Sequence, residues 1–164
     1  MSTAKVSVKV FNRQGELVGP MAVSRVEKSD AEWRAQLTPD QFRVARGQGT
    51  ERAFCGTLLD NKLDGVYACV CCSLPLFSSH AKFESGTGWP SFFQPIADEN
   101  VLTETDTAYG MMRVEILCAR CDGHLGHVFS DGPRPTGQRH CVNSESLVFV
   151  DDADLADLAD PAAT

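Results

Sequence analysis

The first fifty residues change their hydrophobic period. Between residues 5 and 27 apolar and polar positions alternate: Val6, Val8 and Val10, then, beyond a turn at NRQGE, Leu17, Val18, Val23 and Val26. Alternation of this kind turns one face of a strand toward a core, so the segment reads as a small hairpin or arm. Two helix starts follow. Ser29 has Glu32 three residues on, ahead of AEWRAQL, and Thr38 is followed by Pro39, Asp40 and Gln41. Each offers a cap hydroxyl and a side chain that reaches back to the cap, with proline tolerated in the first turn. Gly47 and Gly49 end the second helix.

Beyond residue 50 the helical period fades. GVYACV, MMRVEILC and SLVFV are β-branched or aromatic runs separated by glycine, proline and aspartate. In MMRVEILC, Met112, Val114 and Ile116 alternate with Arg113 and Glu115, which predicts a half-buried strand with its apolar side inward. The expected architecture is mainly β, a mostly antiparallel body preceded by short helices. The chain divides into an arm (1–28), a domain (29–150) and an acidic tail (151–164).

Charge narrows the partners. The chain carries −7, but five acids fall in the closing DDADLADLADPAAT, and removing them leaves −2. A nearly neutral body without basic clusters offers no footprint for nucleic acid. The tail is expected to be solvated, with Leu155 and Leu158 available to pin a helical turn. No apolar run approaches the roughly 18 residues of a membrane span. The opening MSTAKVSVKV has no h-region. The expectation is a cytoplasmic protein that binds neither membrane nor nucleic acid.

Seven cysteines in a reducing compartment point to metal or catalysis rather than to a disulfide framework. Cys69 with Cys72, and Cys118 with Cys121, form two C-x-x-C pairs, each at the end of a predicted strand. Four thiolates with no open position describe structural zinc; tetrahedral sulfur also suits iron, and two redox-active pairs are a further alternative. Cys71 competes with the first pair, but the x-x spacing of the second favours Cys69 and Cys72.

Subtracting four leaves Cys55, Cys71 and Cys141. If RHCVN is extended, Arg139, Cys141 and Asn143 share a face and His140 points away. A free cysteine is about 3% thiolate at pH 7, and a neighbouring guanidinium favours the anion. Cys141 is therefore either an activated nucleophile or a small core residue. HLGHVFSDG adds His124 and His127, and SGTGWPSFF sets Trp89 on a glycine-rich turn.

These motifs together resemble the B-type methionine sulfoxide reductases, which reduce the R epimer of methionine sulfoxide. The matching stretches are GTERAFCG, Y-x-C-x-x-C-x-x-PLF, KF-x-SGTGWPSF, C-x-x-CDGHLGHVF-x-DGP and R-x-C-x-NS-x-SL, over roughly residues 30 to 150. The resemblance implies two antiparallel sheets meeting at an angle, braced by zinc. It implies Cys141 as the nucleophile that becomes a sulfenic acid, and His127 as the acid, with His124 beside it and Asp131 orienting an imidazole or a water. Arg139 and Asn143 would polarise the thiolate, and Trp89 and Phe129 would wall the pocket for the substrate. Cys55 would resolve the sulfenic acid as a disulfide that thioredoxin reduces; some members carry that cysteine where this chain has Thr87. The chain departs from the family pattern at His140, commonly Tyr or Phe, expected to touch only the periphery, and at Cys71. The competing readings are a non-enzymatic zinc-binding interaction module and a zinc-stabilised thiol reductase for another oxidised-sulfur substrate.

Overall fold

The computed structural model describes residues 4–163. The N-terminal alternation forms a hairpin in which β1 (Lys5–Phe11) pairs with β2 (Leu17–Ser24). Asn12 builds the turn, its Oδ1 accepting from the Gln14 and Glu16 N–H groups at 3.0 and 2.9 Å. The hairpin lends Val8, Val10 and Val23 to the core. Buried Asn100 locks it there: the Lys9 N–H donates to its Oδ1, and its Nδ2 donates to the Lys9 and Pro75 carbonyls, at 2.9, 2.9 and 2.7 Å.

Both capping boxes close as the sequence predicts, at the starts of α1 (Asp30–Gln36) and α2 (Pro39–Ala45). Each cap stabilises its helix by about 1 kcal/mol. Trp33 of α1 is buried, and the Arg46 guanidinium at the end of α2 lies 4.4 Å from its ring centroid.

The body is two antiparallel sheets, with the hairpin as a separate third. The smaller contains β3 (Gly65–Cys69), β4 (Pro75–Ser78) and β11 (Leu147–Asp151), in the order β11-β3-β4. The larger contains β5 (Lys82–Phe83), β6 (Ser91–Phe92), β7 (Val101–Asp106), β8 (Arg113–Cys118), β9 (His124–Phe129) and β10 (Arg139–Val142), in the order β5-β6-β10-β9-β8-β7. Aromatic rings join the two. Phe92 of β6 stacks on Phe77 of β4 at 4.5 Å and meets the edge of Tyr67 of β3 at 5.1 Å. Such pairs contribute about 0.5–1.5 kcal/mol beyond the area they bury.

Two expectations change. Strand β8 keeps only part of the expected alternation: Met112, just ahead of it, is 82% exposed and Val114 is also exposed, Ile116 is buried as expected, and Glu115 is buried too. Arg113 and Glu115 line grooves at the functional site, where partners wait, so toward Cys118 both faces of the strand are covered. The acidic tail keeps Asp151, Asp152, Asp154 and Asp157 exposed, as expected, but is anchored at its end. Asp160 is buried and accepts from Arg120 Nη1 at 2.6 Å, while its N–H donates to the Phe11 carbonyl at 3.0 Å. Leu155 and Leu158 are half-buried on 3-10 turns over Asp152–Leu158. Among the described residues no helix is long and apolar enough to cross a membrane.

Candidate active site and metal centre

The two C-x-x-C segments fold into matching knuckles. In the first, Cys69 N–H donates to the Leu74 carbonyl and Ser73 N–H donates back to the Cys69 carbonyl, at 2.9 and 2.8 Å. In the second, Cys118 N–H donates to the Gly123 carbonyl and Asp122 N–H to the Cys118 carbonyl, both at 2.9 Å. Ser73 and Asp122 hold the same left-handed conformation, at φ 65° and 61°. The knuckles face each other and bring the sulfurs of Cys69, Cys72, Cys118 and Cys121 within 4.8 Å of one another. Two of the contacts, Cys69–Cys121 and Cys72–Cys118, are 3.6 and 3.5 Å. A tetrahedron with metal–sulfur bonds of about 2.3 Å has edges of about 3.8 Å, so the four sulfurs suit a metal ion. Cys71 is buried outside this set. Arg46 Nη1 donates to the Cys121 carbonyl at 3.0 Å and lies 3.5 Å from its sulfur, a contact that draws electron density from the thiolate cage.

A cleft of about 240 Å³ opens on the large sheet, lined by Trp89, Arg113, His127, Phe129, Arg139 and Cys141, with Thr50, Thr87 and Asn143 at its edges. Register explains the convergence. On β10, Cys141 lies opposite Ser91 of β6 and His127 of β9, while Arg139 lies opposite Phe129. Arg139 spans the Phe129 ring at 4.4 Å and grips Asp131 through Nε and Nη2 at 2.9 and 3.2 Å. His140 turns into the core, not the periphery, with Nδ1 3.2 Å from the Phe92 carbonyl.

The tryptophan turn is fixed from outside by the GTERAFC segment. Trp89 Nε1–H donates to the Glu51 carbonyl at 3.0 Å, and Phe54 N–H donates to the Gly88 carbonyl at 2.7 Å. Gly88 sits at φ +94°, where a Cβ would strike the Phe54 ring 2.8 Å away, so only glycine fits. Cys55, next in sequence, is exposed and does not line the cleft.

The surroundings of four expected site residues bear on their roles. Burial pushes the Cys141 thiol above the ordinary cysteine range, and the pull of Arg139 and the Thr87 hydroxyl only partly opposes it. Asn143 uses its amide on backbone, accepting from Glu51 N–H at 2.9 Å and donating to the Leu125 carbonyl at 3.0 Å. It positions the loop carrying Glu51, while Thr87 touches the sulfur. Asp131 holds Arg139 rather than an imidazole. His124 is buried outside the cleft, with Nδ1 2.6 Å from Glu115 Oε2, and burial lowers its basicity. The acids that do meet the imidazoles are Glu115, for His124, and Asp106, whose Oδ2 lies 2.8 Å from His127 Nε2. The sequence gives no local signal for either pairing, since each acid comes from a different strand.

The matched domain family, described as the SelR domain, covers residues 37–151. The chain belongs to this family. Among its relatives is a protein from Hahella chejuensis named "Peptide methionine sulfoxide reductase MsrB", 59% identical over 77% of this chain and 91% of its own length. Proteins of the same name from Thiobacillus denitrificans and Methanosarcina mazei are 58% and 53% identical, over 74% and 82% of this chain and 92% and 96% of their own lengths. The matches span the cleft and both knuckles, and the hairpin lies outside the matched domain.

Proposed function

We infer that this chain reduces methionine-R-sulfoxide in proteins to methionine, a repair of oxidative damage. The observation that carries the reading is one cleft holding a half-buried Cys141, an indole, an imidazole and a guanidinium on adjacent strands. In the reduction, a bond forms between the Cys141 sulfur and the sulfoxide oxygen as the sulfoxide S–O bond breaks. The sulfoxide sulfur is reduced by two electrons and the cysteine sulfur oxidised by two. The thiol proton compensates the proton delivered to the oxygen, so Cys141 ends as a sulfenic acid and methionine leaves. His127 is the group that delivers a proton to the oxygen. Trp89 and Phe129 wall the methyl and side-chain stem, and Arg139 holds the sulfur's developing charge.

Cys55 then attacks the sulfenic acid, forming a disulfide and releasing water, and the dithiol of thioredoxin reduces that disulfide. Support comes from the anchoring of the Cys55 segment to both Asn143 and the tryptophan turn, which holds it beside the cleft. Cys69, Cys72, Cys118 and Cys121 would hold one zinc ion as a structural brace; it takes no part in the reaction. A cytoplasmic site of action agrees with this use of free thiols.

The test uses peptides carrying each epimer of methionine sulfoxide, with dithiothreitol as reductant. Only the R epimer is consumed, Cys141→Ser abolishes turnover, and Cys55→Ser keeps a single turnover while losing steady-state turnover with thioredoxin. Failure to convert either epimer returns the chain to the interaction-module reading.

A further inference from the structure

His127 is the wall between two openings. On one side lies the Cys141 cleft; on the other is a groove of about 460 Å³ lined by Gln48, Asp106, Ala108, Arg113, Glu115 and His124, among others. His127 is half-buried between them, and its Nε2 is already committed to Asp106 Oδ2 at 2.8 Å. Asp106 is itself fixed. It ends β7, its Oδ1 accepts from Ala108 N–H at 3.0 Å, and its Oδ2 lies 3.4 Å from Arg113 Nη2. The His127 hydrogen bond, with the Ala108 N–H behind it, keeps this carboxyl below its ordinary range and therefore ionised. An imidazole bound through Nε2 to a carboxylate has its tautomer chosen: Nε2 carries the proton and Nδ1 is left as the working nitrogen.

Resting on the reading of His127 as the acid, we propose that Asp106 is a positioning residue that fixes His127 through Nε2 and makes Nδ1 the donor to the sulfoxide oxygen. The charge balance within the reaction closes. His127 gives the Nδ1 proton to the oxygen as the Cys141–oxygen bond forms, and the proton leaving the Cys141 thiol restores the imidazolium. His124 is unsuited to the same task, because its Nδ1 meets Glu115 in a buried pocket and its Nε2 has no hydrogen-bond partner among the described residues.

The experiment is single-turnover reduction of an R-sulfoxide peptide by Asp106→Asn, Asp106→Glu and His127→Ala. Nuclear magnetic resonance of the His127 ring nitrogens, which reads the tautomer, and melting curves accompany the kinetics. Asp106→Asn is expected to be about tenfold slower, with the fixed Nε2–H tautomer of His127 lost. Asp106→Glu should recover most of the rate and the tautomer. A normal rate for Asp106→Asn, or a slow one with the tautomer unmoved, overturns the proposal by leaving Asp106 a mere structural ion-pair partner. If His127→Ala reduces sulfoxide normally while Cys141→Ser is dead, the acid assignment itself is lost and the reductase reading stands without it.

Discussion

Cys141 sits under opposed influences, and their balance is measurable. Burial favours the thiol; Arg139 and the Thr87 hydroxyl favour the anion. Removing the guanidinium in Arg139→Ala should raise the thiol further. In a Cys55→Ser background, the curve of Cys141 alkylation rate against pH should move upward, by roughly tenfold in rate at pH 8 for a one-unit shift. An unmoved curve would show that Arg139 serves only to hold Phe129 and Asp131. The sharing of one face by Arg139 and Cys141 was legible because two residues on one strand repeat every second position. The touch of Thr87, and the acids behind both histidines, were not, because strand pairing alone brings β7, β8 and the tryptophan turn to β9 and β10.

At the scale of the element, β10 carries chemistry on one side and core on the other. His140 packs 5.8 Å from Phe77 in the core, and burial lowers its basicity. Below the ordinary imidazole value of about 6.5 the unfolded chain takes up a proton that folded His140 refuses, so stability falls as the pH drops from 7 through that value. His140→Phe removes this contribution. Its denaturant midpoint should decline less between pH 7 and pH 5 than the parent's, with buried His124 still contributing in both. Equal declines would mean that His140 accepts its proton in place. Strand β8 teaches a related lesson: Ile116 is buried as its period predicts, yet Val114 is exposed and Glu115 is buried, because Glu115 and Arg113 have partners of their own. Alternation specifies two faces without saying that the polar one is covered as well when it holds ion pairs.

For the whole molecule, the cysteine knuckles join the two sheets at a place apart from their aromatic contacts. One knuckle extends β3 of the small sheet, and the other extends β8 of the large one. Cys118→Ser should therefore abolish metal binding, and the melting temperature should fall by roughly 10 °C or more. Metal analysis and a thermal scan check both. Unchanged metal content would shift the ligand set toward Cys71. The knuckles could be read from spacing because each is local, and the helix caps for the same reason. The anchor of the tail could not, since nothing near Asp160 in the sequence announces Arg120 as its counter-ion.

The burial that pushes the Cys141 thiol upward has a consequence for survival among oxidants. Hydrogen peroxide attacks thiolates, so a smaller thiolate fraction reacts with it more slowly. The anion need exist only while a bound sulfoxide covers it, and a covered sulfur is closed to peroxide. The same burial that delays the residue's ionisation shields it from the irreversible sulfinic and sulfonic acids, at the time when damaged proteins most need it.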